Sequence, residues 1–199
     1  MLGVFIDTET SGLDPFLHVP IDLGVVVVDL SSGEEKASYE TLLTVTDEEW
    51  HAKDPNSAAI HGITFEQLAT GVSRPVAAKA IEKLLVAEGV INDKAFFICQ
   101  NPSFDRPFFA KIIPQYRQEV LQWPYHWLDL ASMYWALVVT KGQRPVSQPI
   151  SVSKDSIASA LGLPPEKRPH RAINGVRHLI SCYERLVGFP DSRQATKKN

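Results

Sequence analysis

The run Val4-Phe5-Ile6-Asp7-Thr8-Glu9-Thr10-Ser11-Gly12-Leu13 sets a β-rich apolar stretch directly against two carboxylates and a polar, glycine-containing turn. In a strand, side chains at i and i+2 point to one face, with Cα atoms roughly 6.6 Å apart. Asp7 and Glu9 therefore share a face at the end of a buried strand. Two carboxylates placed there repel each other and are costly to desolvate. A divalent cation relieves both penalties, and Mg²⁺ or Mn²⁺ would keep open positions for water and phosphate. Read on its spacing alone, the pair is equally well explained by one carboxylate capping the turn at Ser11-Gly12.

Outward from this strand, residues 21–30 carry Val25-Val26-Val27-Val28, an uninterrupted apolar run of strand length. Ser31-Ser32-Gly33 marks a turn, and residues 39–45 read as a third strand. The connections are too short for crossover helices, so the three form an antiparallel meander. Helical signals follow. Short helices are expected over 56–61 and 64–69, separated by Gly62, and a longer one over 75–86 with Val76, Ala80, Leu84 and Leu85 on its apolar face. Residues 95–99 read as a buried strand, 108–120 as a helix, and 128–139 as a short strand running into a helix. Residues 141–152, rich in Pro, Ser and Gln, read as a mobile loop. Ser153 caps a helix that stops at Gly162, and a last amphipathic helix over 171–187 stops at Gly188 and Pro190. The sum is one α/β domain over 1–190, a mixed sheet flanked by helices, with a polar tail over 191–199.

At 199 residues the chain is long enough for a substantial core, and its 44% hydrophobic content excludes a disordered polymer. Two cysteines make no disulfide framework, which points to a reducing, cytoplasmic setting. No run approaches the ~18 apolar residues of a membrane span, and the N-terminus lacks the basic region of a signal peptide. A net charge of -3 excludes a large basic field. It leaves room for a nucleic-acid enzyme whose positive charge comes from bound metal. Trp123, Trp127 and Trp135 are expected in the core.

Two further motifs carry candidate chemistry. Asn101-Pro102-Ser103-Phe104-Asp105 follows the strand at 95–99, where a carboxylate can reach a site on the neighbouring strand. The competing reading makes Asp105 an N-cap with Pro107 in the first turn, because an earlier helix start would bury Pro107 inside the helix. His170-Arg171-Ala172-Ile173-Asn174-Gly175 opens the last helix, and its imidazole is a candidate general base. Lys167, Arg168, Arg171 and Arg177 lie around it as phosphate contacts or as a solvated helix face.

In this order the motifs resemble the DEDDh 3′→5′ exonucleases, the family of bacterial proofreading subunits, RNase T and oligoribonuclease. Asp7-Thr8-Glu9-Thr10-Ser11-Gly12-Leu13, Ile60-His61-Gly62-Ile63-Thr64, Asn101 through Asp105, and Ser156 to Gly162 with His170-Arg171-Ala172 carry the resemblance over residues 2–187. It implies an RNase H-like mixed five-stranded sheet with its first three strands antiparallel. It also implies two divalent ions, Mg²⁺ or Mn²⁺, about 3.5–4 Å apart on Asp7, Glu9 and Asp105, with His170 taking the proton of the attacking water. Thr10, Leu13, Ile63, Asn101 and Phe104 would hold the last nucleotide of a single-stranded DNA or short RNA 3′ end. No membrane partner is implied, and a homodimer or a polymerase or repair complex is left open. One departure stands out. The family's fourth carboxylate, five residues after the histidine, is replaced by Gly175, while Gln100 stands where a histidine is frequent. Weakened binding of the second ion and slow turnover follow, with Gly175→Asp expected to raise the rate. The alternative is a non-catalytic exonuclease-like module that binds 3′ ends or a protein partner.

Overall fold

A computed structural model gives the fold and describes residues 1–142, 147 and 149–191. Its strands are β1 (Leu2–Thr10), β2 (Pro20–Asp29), β3 (Glu35–Leu42), β4 (Ala95–Cys99) and β5 (Trp127–Asp129). The helices are α1 (Asp47–His51), α2 (Pro55–His61), α3 (Phe65–Leu68), α4 (Arg74–Ala87), α5 (Pro102–Ala110), α6 (Gln115–Val120), α7 (Leu130–Thr140), α8 (Lys154–Ala160) and α9 (Ala172–Leu186). The sheet runs in the order β3-β2-β1-β4-β5. β1 and β3 pair antiparallel with β2, as the short connections require, while β4 joins β1 and β5 joins β4 in parallel. The fold is the expected α/β, RNase H-like mixed sheet with its first three strands antiparallel.

Alternation in β1 sends side chains to two separate cores. Val4 and Ile6 meet Leu23, Val25, Val27 and Phe97 under α4 and the end of α5. Phe5 meets Val26, Val28 and Ile98 under α7, α8 and α9. Because both faces are covered, β2 is apolar at nearly every position, which accounts for its four consecutive valines. Gly24, paired with Asp7, lies under the start of α9, where a Cβ would come within 2.7 Å of the Ile173 nitrogen. That close approach brings the N-terminus of α9 down beside the carboxylates.

Several local expectations are corrected. The α4 face that packs is Ala77, Ile81 and Leu85; Leu85 is buried as expected and Leu84 partly so, but Val76 is exposed. The helix expected over 108–120 is two, α5 and α6, interrupted at Pro114. Trp123 is buried and Trp127 stacks on Phe97 with centroids 4.6 Å apart, but Trp135 is 46% exposed. α1, absent from the sequence reading, forms through a capping box of Thr46 and Glu49. The tail over 192–199 and part of the 141–152 loop fall outside the described residues.

Candidate active site

β4 stops at Cys99 opposite the middle of β1, whose last pairing with it is Phe5–Ile98, whereas β1 continues to Thr10. From Ile6 onward one edge of β1 therefore has no strand beside it. Asp105 fills that edge: its Oδ1 accepts the Thr8 backbone N–H at 3.1 Å and the Thr8 hydroxyl at 2.9 Å. Asp105 is thus inside α5 and bonds across to the sheet, a correction to the N-cap reading. The helix starts at Pro102, behind Asn101 in the left-handed region (φ 62°), and it contains Pro107. The backbone bond that Pro107 lacks would reach Ser103, an exposed residue whose carbonyl can turn to water, while Asp105, Phe108 and Phe109 are buried.

Asp7 and Glu9 lie on the α9 side of β1. Burial raises the pKa of Asp7, and the nearby Glu166 carboxylate raises it further against the opposing pull of Lys154. Burial, then repulsion from Asp7 and Glu166, pushes Glu9 up to about 8. Asp105 is held well above the usual carboxylate range by burial and by Asp7. Three acids whose ionisation burial and neighbouring carboxylates oppose are therefore gathered at one end of the sheet, an arrangement that favours a cation.

Two residues overlooked in the sequence complete the cluster. Glu166, with a side chain 1% exposed, places Oε2 2.7 Å from Lys154 Nζ and Oε1 3.6 Å from His170 Nδ1. Lys154, the first residue of α8, places the same ammonium 3.3 Å from Asp7 Oδ1, and its pKa is raised by these two carboxylates. Glu9, Glu166 and His170 offer ligand atoms within 4.8 Å of one another, and Glu166 Oε1 and His170 Nε2 are buried without a hydrogen-bond partner. Oxygen-rich donors with unfilled polar capacity fit a divalent ion. Gly175 faces this cluster from α9. A Cβ there would fall on the Asp7 carboxylate and within 3.1 Å of Lys154 Nζ.

The candidate substrate residues are placed less uniformly. Thr10 is buried, its hydroxyl donating to the Gly12 carbonyl at 2.7 Å. Leu13 is 71% exposed. Ile63 is buried against Val19, Ile21 and Leu68, so its side chain serves the small core beside β2 more than an open surface. Phe104 is half-buried against Phe108. Asn101 donates its N–H to Asp129 and lines, with Gln100 and Trp135, a cleft of about 780 Å³. Gln100 donates to the Val152 carbonyl and so ties this edge to the approach to α8. Arg171 donates to the His61 carbonyl at 2.8 Å, and Arg177 pairs loosely with Glu35.

The sequence model of the exonuclease family, RNase_T, matches residues 4–183. The chain belongs to this exonuclease family. Among curated relatives, the PolC-type DNA polymerase III of Thermotoga petrophila is 27% identical over 184 residues, covering 92% of this chain and 12% of the relative. That of Thermotoga maritima matches to the same extent. The chain thus spans about an eighth of these curated relatives. Among solved structures, the nuclease domain of 3′hExo, a DEDDh family member bound to rAMP, superposes with a TM-score of 0.69 at 16% identity, covering 95% of this chain and 94% of that one. E. coli Exonuclease I in complex with a dT13 oligonucleotide gives a TM-score of 0.74 at 19% identity, covering 98% of this chain and 43% of that one. Among the described residues no helix is long and apolar enough to cross a membrane. Both cysteines of this exonuclease-family chain are buried thiols.

Proposed function

We propose that the chain is a metal-dependent 3′→5′ exonuclease that releases nucleoside monophosphates from single-stranded DNA or short RNA. The observation that carries this reading is the gathering of Asp7, Glu9 and Asp105 with His170 around one end of β1, from positions up to 163 residues apart. Asp7, Glu9 and Asp105 would hold Mg²⁺ or Mn²⁺. A bound divalent ion supplies positive charge to the scissile phosphate and makes a water molecule more acidic. His170 would accept a proton from the attacking water, with its Nδ1 facing the Glu166 carboxylate at 3.6 Å. Thr8 holds Asp105 against β1 through two hydrogen bonds, so this carboxylate keeps its direction when substrate enters.

The Thr10 oxygen, whose proton goes to Gly12, remains an acceptor for a 3′-hydroxyl, and Leu13 offers an apolar surface to a base. Asn101 and Phe104 complete the nucleotide subsite, with Ile63 behind it in the small core beside β2. Apolar support of a base tolerates any sequence. The PolC-type relatives support work beside a polymerase, either as a separate subunit or as a domain, and the absence of a disulfide framework in two cysteines supports a cytoplasmic setting. Gly175 leaves α9 without a carboxylate facing the site, so turnover is slow and is fastest with Mn²⁺.

The ion pairs of Lys154 favour a second reading, a module that binds 3′ ends without cleaving them. Timed digestion of a 5′-labelled oligonucleotide with Mn²⁺ decides. A ladder shortening from the 3′ end, lost in Asp105→Asn, supports the exonuclease, whereas intact label with measurable binding supports the module.

A further inference from the structure

We infer that Lys154 supplies, as a fixed ammonium, the positive charge of one of the two divalent ions, and that Glu166 serves as the fourth carboxylate, so that the site takes a single divalent ion. This rests on the metal-dependent reading above and names the residues that answer the departure at Gly175.

Three observations converge. The Lys154 ammonium bridges Asp7 Oδ1 at 3.3 Å and Glu166 Oε2 at 2.7 Å, contacts of the kind a cation shared between two carboxylates makes. Its side chain is 14% exposed, so the charge is held inside the site. Next, the space in which a side chain at position 175 would start is filled by the Asp7 carboxylate itself, leaning toward α9 and Lys154. An aspartate at 175 and the Asp7–Lys154 pair compete for one volume, so the glycine and the lysine form one arrangement. Finally, Glu166 has a fully buried side chain, and its second oxygen, Oε1, has no hydrogen-bond partner. That oxygen lies within 3.6 Å of His170 Nδ1, in the group with Glu9 whose ligand atoms are within 4.8 Å of one another. A buried carboxylate oxygen left without a hydrogen bond costs free energy that a coordinated cation recovers. Charge also limits the count. With the ammonium already among these carboxylates, a second divalent ion beside it would meet a like charge at short range.

Counting Mn²⁺ by electron paramagnetic resonance of the free ion, with calorimetry in parallel, tests this without reference to turnover. The wild-type chain is expected to bind one ion, Lys154→Met two, and Glu166→Gln to bind its ion at least tenfold more weakly. Wild-type binding of two ions, or of none, overturns the inference even if Lys154→Met fails to fold. A folded Lys154→Met variant that still binds one ion, or a Glu166→Gln variant with unchanged affinity, overturns it as well. A chain that binds one ion but leaves oligonucleotides intact would defeat the exonuclease reading while leaving this ion count standing.

Discussion

The two halves of β1 share a backbone and little else. Residues 2–5 run between β2 and β4, and Val4, Phe5 and the adjoining Ile6 are completely buried on alternate faces. Residues 7–10 keep β2 on one side but have α5 on the other, and they carry carboxylates whose ionisation burial opposes. The first half contributes stability through apolar area. The second is tolerated because Asp7 finds Lys154 and, in the functional reading, the carboxylates find a metal. The contrast shows stability and chemistry divided along one strand at the residue where β4 departs.

The strongest test of that division is Phe5→Ala, which should destabilise the fold by ~3–5 kcal/mol, the usual cost of emptying a fully buried aromatic site. Chemical denaturation measures it, and a loss under 1 kcal/mol would break the contrast from the apolar side. Glu9→Gln should do the reverse: roughly a 100-fold or greater fall in nuclease rate, with an unfolding free energy within about 0.5 kcal/mol of wild type or above it. A drop in stability matching that of Phe5→Ala would show that both halves support the fold alike.

The pH dependence sharpens the same point. Glu9 is raised in the folded chain from 4.5 to about 8, so between those values the folded state binds more protons than the unfolded one. Stability from this group is complete below pH 4.5 and is lost as pH rises through about 8. His61 works oppositely: burial and Arg171 lower it from 6.5 to about 4, so its contribution is present above pH 6.5 and is lost as pH falls toward 4. Above pH 6.5 the histidine is neutral in both states, and the metal-free melting temperature should decline between pH 6.5 and 8.5. Mn²⁺ should flatten that decline, because a bound ion holds the carboxylates charged; a flat metal-free profile would contradict the raised acid. The smallest effect is expected from Leu13→Ser, an exposed position: unchanged stability and a KM rise of roughly fivefold, the worth of about 1 kcal/mol of apolar contact.

The legible parts of the sequence were those governed by local periodicity and local caps. The valine run of β2, the Ser153 cap of α8 and the stop of α9 before Gly188 all appear where their residues place them. Local reading failed where tertiary contacts outweighed propensity. Asp105 is bound by Thr8 rather than by its own helix, and α4 turned its Ala77 face to the core. Lys154 carried a faint signal, since a lysine in the first turn of a helix opposes the helix dipole and calls for an acidic partner. Glu166, in the run Pro164-Pro165-Glu166-Lys167-Arg168-Pro169, reads as part of a solvated charged loop, and only its spacing of four from His170 hinted at more.

By itself, then, the sequence determined the mixed sheet, because periodicity is a property of neighbouring residues, and it marked Asp7, Glu9, Asp105 and His170 as a set only through their resemblance, in order, to a known family. Only the tertiary structure decided what stands opposite Gly175. The Asp7–Lys154–Glu166 chain joins residues up to 159 positions apart, and no local rule specifies which distant charge enters a volume that a missing side chain leaves free.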